Sequence, residues 1–150
     1  MRVPAILLTF GVFVCGGGSA ASSPVRVDLA ISCNETTNAV QQITLPFTLQ
    51  NARGKVCLDR STFVRGLEIA NSRVWRDDKA NVWWLIVQFV DSAAPLVKDV
   101  TSRAKGHELA LVRGKKVVAS GLVTSVPNES QYAVTTESEE EAHKLTDALR

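Results

Sequence analysis

Residues 82–90 carry a single polar side chain, Gln88, and this run constrains the fold more than any other part of the sequence. Read as a strand, it places Trp83, Leu85, Val87 and Phe89 on one side and Val82, Trp84, Ile86 and Val90 on the other. A strand that is apolar on both sides is expected in the middle of a sheet, covered on both faces. The polar turn Asp77-Asp78-Lys79-Ala80-Asn81 joins it to a strand over residues 73–76, which makes a hairpin.

The period then changes. Ala93, Leu96, Val97, Val100 and Ala104 fall at helical spacing, with Pro95 in the first turn and Gly106 after the last, so residues 92–105 read as a helix. Residues 108–112 and 116–123 follow as two strands about the tight turn Arg113-Gly114-Lys115, and residues 131–135 as another after the Pro127-Asn128 turn. Ser138 and Glu141 have the spacing of a capping box, in which hydroxyl and carboxylate each satisfy a free backbone N–H. They open a last helix with Ala142, Leu145, Ala148 and Leu149 on its apolar face. The carboxylates of Glu137, Glu139, Glu140 and Glu141 at its start answer the helix dipole.

Upstream, residues 25–31 alternate Val25, Val27, Leu29 and Ile31 with Arg26, Asp28 and Ala30, the period of a half-buried strand. Residues 44–49 contain Pro46 and make a poor central strand. Residues 51–54 are turn-like, residues 55–58 form a short strand, and residues 61–69 read as a short helix with Phe63 and Leu67 inward, although Gly66 weakens it. The resulting class is α+β: a mixed or antiparallel sheet with two main helices on one face and a βαβββα core.

The first 21 residues have the three parts of a secretory leader: Met1-Arg2 as a positive start, an apolar stretch over residues 5–14, and small residues over 16–21. The apolar stretch is shorter than the about 20 residues needed to span a bilayer, so no membrane span is expected after cleavage. Val14, just before Cys15, is bulkier than a lipoprotein site requires. The expected organisation is a signal peptide over 1–21 and one domain over 22–150, located in the periplasm or secreted. Cleavage leaves Cys33 and Cys57, which pair as a disulfide in an oxidising compartment or remain as two buried thiols. Asn34-Glu35-Thr36 and Asn128-Glu129-Ser130 match the glycosylation acceptor pattern.

The formal net charge of +2 includes Arg2 of the leader and does not favour nucleic-acid binding. His107 and His143 lie far from each other and from the cysteines, so no zinc spacing exists and neither histidine pairs with a nucleophile. Gly16-Gly17-Gly18 falls in the leader, not in a phosphate loop. No catalytic group, metal or cofactor is expected. Trp75, Trp83 and Trp84 lie about one hairpin and are either core packing or a surface for a protein or peptide, with Trp75 and Trp83 as the binding candidates.

The stretch from Val87 through the helix to Gly106-His107-Glu108-Leu109-Ala110-Leu111-Val112-Arg113-Gly114-Lys115-Lys116-Val117-Val118 resembles the head of the first periplasmic domain of SecD, the membrane subunit that assists export through the Sec translocon. The shared pattern is a helix ending at glycine, a leucine-alanine-aliphatic strand, a glycine turn and a strand starting with lysine-valine. The last helix, with Ser138, Glu140, Glu141 and Ala142, is similar too, and the resemblance extends over about residues 25–150. Ser120-Gly121 stands where the family has a proline, and Val126-Pro127-Asn128-Glu129 replaces its glycine pair. The family's multi-pass membrane portion is absent from this chain. The resemblance implies an exported, non-catalytic module that contacts polypeptides or envelope proteins. The competing readings are a secreted inhibitor or immunity-type protein with one specific partner, and a hydrolase whose site assembles only in the fold.

Overall fold

The computed structural model describes residues 22–49, 53–126 and 130–150. The leader, Cys15, Asn51 and the Pro127-Asn128 turn lie outside the described residues. In chain order the elements are β1 (Arg26–Ile31), β2 (Gln42–Pro46), β3 (Lys55–Asp59), β4 (Val64–Asp77), β5 (Val82–Phe89), α1 (Ala94–Arg103), β6 (Glu108–Arg113), β7 (Lys116–Leu122), β8 (Gln131–Thr136) and α2 (Glu139–Asp147). Six strands form one sheet in the order β7-β6-β1-β4-β5-β8, and β2 and β3 form a separate hairpin. Every ladder is antiparallel, and the class is α+β.

Both helices cover one face. Val97, Val100 and Ala104 of α1 and its C-terminal end, with Leu145 and Leu149 from the α2 end of the chain, pack on Val27, Leu29, Ile31, Leu85, Val87 and Phe89. Leu96, expected inward, is exposed. Ser138 Oγ accepts the Glu141 N–H at 3.1 Å, as the capping box requires. The Glu141 carboxylate differs from that expectation: it accepts the Glu137 N–H, at 2.7 Å. Arg113 donates to the carbonyls of Ala148 and Arg150 and ties the end of this helix to the β6–β7 turn.

The opposite face is covered only in part. The β2–β3 hairpin lays Leu45, Val56 and Leu58 over Ala30 of β1, Ala110 and Val112 of β6 and Val117 of β7. Small side chains at 30 and 110 let the hairpin approach closely. The run buried on both faces is therefore Leu109–Ala110–Leu111–Val112, not residues 82–90. β5 lies next to the sheet's end, and only Leu85, Val87 and Phe89 are fully buried in it. Arg53 reinforces the hairpin with a bidentate pair to Glu108, at 2.7 and 2.8 Å.

A second correction concerns residues 61–69. The expected helix is a single 3-10 turn at Arg60–Thr62 followed by β4. The pairing of β1 with β4 shifts register by one residue across Arg65 and Gly66, and Gly66 has φ +70° there. This is a β-bulge with glycine in the left-handed region, held by an N–H···Oδ1 bond from Gly66 to Asp28 at 2.8 Å. A second shift follows Ile69, where β4 stops pairing with β1 and continues along β5. Two bulges in one long strand bend the sheet into a half-barrel.

The bend brings the outer edges of β7 and β8 to face each other with no ladder between them. A Cβ on Gly121 would sit 2.8 Å from Val134 Cγ2, so glycine is required by close approach. Gly121→Ala is expected to cost about 1–3 kcal/mol in urea unfolding through overpacking, and Val134→Ala in the same chain to recover part of that loss.

The expected disulfide is present. Cys33 and Cys57 are bonded with Cα atoms 5.4 Å apart, and the Cys33 N–H donates to the Cys57 carbonyl at 3.0 Å. The bond fastens the end of β1 to β3 and hence the hairpin to the sheet. The sequence separation is 24 residues. Replacing both cysteines by serine should lower the unfolding free energy by about 3–4 kcal/mol on the chain-entropy model.

Candidate functional site

The surface left uncovered by the hairpin belongs to β4, β5 and β8. Register decides which side chains share it, because directly opposed residues in an antiparallel pair lie on the same face. Trp75 opposes Trp84, Arg73 opposes Ile86, and Asn71 opposes Gln88. On the other side Trp84 opposes Thr135, Ile86 opposes Ala133, and Gln88 opposes Gln131. Leu85, Val87 and Phe89 point the opposite way, under the helices.

Trp75 and Trp84 thus form a cross-strand aromatic pair on an open face. Trp75 is 50% exposed, while Trp84 and Ile86 are half-buried. The Trp84 Nε1 is buried without a hydrogen-bond partner. Beside the pair a shallow depression of about 150 Å³ is lined by Asn71, Arg73, Ile86, Gln88 and Gln131.

The two binding candidates from the sequence, Trp75 and Trp83, lie on opposite faces. Trp83 opposes Arg76, whose guanidinium carbon stands 5.4 Å from its ring centroid and whose Nε is 3.2 Å from Asp78 Oδ1. Trp83 is therefore half-buried on the helix side, and the partner of Trp75 is Trp84. Cross-strand register, which a single sequence does not display, was the missing signal.

A cavity of about 200 Å³ opens where the end of β7 faces the start of β8. Trp84, Leu109, Leu122 and Tyr132 line it together with the polar Thr101 and Gln131. The Tyr132 hydroxyl donates to the Leu109 carbonyl at 2.9 Å. Burial, helped by the Glu108 charge, raises this phenol well above its ordinary value of 10.0.

His107 is exposed at the junction after α1, and the exposed His143 lies 3.7 Å from Glu139. Among the described residues no group of three or more His, Cys, Asp or Glu is placed to hold a metal. Asn34 is exposed in a turn where its Oδ1 accepts from the Thr36 N–H and hydroxyl at 2.9 and 2.7 Å.

With the site in view, the comparisons with known proteins decide the family. The model of the SecDF P1 head subdomain matches residues 34–150. The chain belongs to that family. A solved structure of SecDF, described as a membrane component that enhances protein export, superposes with TM-score 0.52 at 17% identity, over 85% of this chain and 63% of that one. SecDF in its super-membrane-facing form matches with TM-score 0.53 at 16% identity, over 84% of this chain and 18% of that one. The chain therefore spans under two thirds of the SecDF chains it resembles. No curated protein matches the sequence. Among the described residues no helix is long and apolar enough to cross a membrane.

Tyr132 is the sole tyrosine of the chain, so phenolate absorbance reads it directly. Its folded pKa is raised, so the unfolded state holds fewer protons above pH about 10 and stability falls as pH rises past that value. An alkaline titration should show phenolate appearing together with loss of the folded circular dichroism signal. Phenolate forming near pH 10 in the folded protein would refute the buried hydroxyl.

Proposed function

We propose that this SecDF P1 head domain, freed of its leader over residues 1–21, is an exported non-catalytic module over residues 22–150. It contacts unfolded polypeptides or envelope proteins on the outer side of the cytoplasmic membrane, in the service of protein export. Membership of the family supports the export context. The open face of Trp75, Trp84 and Ile86 supports the binding role, and that single observation carries it. Aromatic side chains offer large apolar area with little rotamer entropy to lose, which suits weak contact with many sequences. The exposed Arg73 and the amides of Asn71 and Gln88 border that apolar strip with groups able to meet a peptide main chain.

The test is the affinity of the chain for a reduced, carboxymethylated and permanently unfolded protein, followed by fluorescence anisotropy. Trp75→Ala is expected to weaken binding about tenfold, as truncation of an interface anchor does. Trp83→Ala, on the opposite face, should leave binding unchanged. Equal losses in both variants, or none in Trp75→Ala, would contradict the assignment.

A further inference from the structure

We propose that the outer edge of β8 at Ala133, with the adjoining cavity, takes a short extended polypeptide segment by strand addition, one bulky apolar side chain filling the cavity. This rests on the polypeptide-binding reading above and names where and how a chain is gripped.

Hydrogen-bond alternation along β8 fixes which main-chain groups face outward. The Phe89 N–H donates to the Ser130 carbonyl at 2.9 Å. Along the β5–β8 register the main-chain groups of Tyr132 and Val134 then point to β5, and those of Ala133 and Thr135 point to the opposite edge. β8 ends the sheet, so no ladder occupies that edge among the described residues. Such an edge is a template for another strand.

The cavity specifies what accompanies the main chain. Its volume of about 200 Å³ exceeds the about 150 Å³ that holds a benzene and falls below the range of about 300–1,000 Å³ typical for drug-sized ligands. The fit is one aromatic or branched aliphatic side chain. Leu122, 63% exposed, stands at the rim as further apolar surface. An acyl chain supplies the apolar group without the amides, and a sugar supplies neither. A polypeptide supplies both at strand spacing. The Gly121–Val134 contact pinches the seam next to this cavity, so the added segment pairs at Ala133 and does not run the length of β8. One paired residue and one anchor give a weak grip that tolerates many sequences.

The experiment uses the full chain with ¹⁵N labelling and a capped peptide of alternating serine and threonine around one central phenylalanine. Amide exchange at Ala133 should slow about tenfold on saturation, while replacing the peptide's phenylalanine by alanine weakens binding about tenfold. N-methylation on either side of the phenylalanine should weaken binding comparably without any change to the protein. Ala133→Pro, which removes an outward N–H and spares the β5 ladder, should do the same with an unchanged circular dichroism spectrum. Peptide binding that leaves Ala133 exchange unaltered and tolerates N-methylation would overturn the edge site and leave the aromatic face as the binding surface. Failure of both the peptide and an unfolded protein to bind would overturn the site and the function together.

Discussion

The structure depends on covering β1 and β6 on both faces. β1 is the first strand of the described chain yet lies inside the sheet, between β6 and β4. Its Val27, Leu29 and Ile31 are buried beneath the helices, and its Ala30 is buried beneath the β2–β3 hairpin. Without the hairpin, the apolar surfaces of Ala30, Ala110, Val112 and Val117 would meet water, at a cost of about 25 cal/mol for each Å² exposed. The Cys33–Cys57 bond holds the hairpin where this burial happens, at the point where β1 ends. A small domain that lacks a large core gains most from such a constraint.

The proposed binding role rests on how unevenly the two faces are covered. The helices cover one face, whereas the hairpin reaches β1, β6 and β7 alone. The bulges in β4 turn the other half of the sheet away from the hairpin, and that half keeps its tryptophans and its isoleucine open. The same bend leaves the edges of β7 and β8 facing each other without a ladder. The aromatic face and the seam cavity are therefore two consequences of one distortion, and Trp84 touches both.

Much of this was legible in the sequence. The helix after residue 91, the three strands that follow it and the last helix stand out because their periodicity is local and their ends carry Pro95, Gly106, Gly114 and Ser138. The last part of β4, residues 73–76, was legible with its hairpin to β5, but its first part was not, because its strand state depends on pairing with β1 far along the chain. Gly66, which counts against a helix, marks the bulge that Asp28 completes from β1. The apolar run of β5 signalled a strand correctly but not its cover, since Trp84 and Ile86 are apolar for an open face rather than a second core. Leu109–Val112 carries two covers instead, and its alanine at 110 is less conspicuous than two tryptophans. For the same reason Trp75 and Trp83 invited pairing along the sequence, while the register pairs Trp75 with Trp84.

Hydroxyl-radical footprinting of the chain, alone and with an unfolded protein at saturation, reads whether the Trp75–Trp84 face is where polypeptide binds. In the free chain Trp75 should label strongly, and the unfolded protein should suppress labelling at Trp75 and Trp84 while leaving Trp83 and Val40, exposed in the 3-10 turn before β2, unchanged. Protection of Trp83 or Val40 in place of Trp75 and Trp84 would contradict the account, because the contact would then lie away from the open half of the sheet.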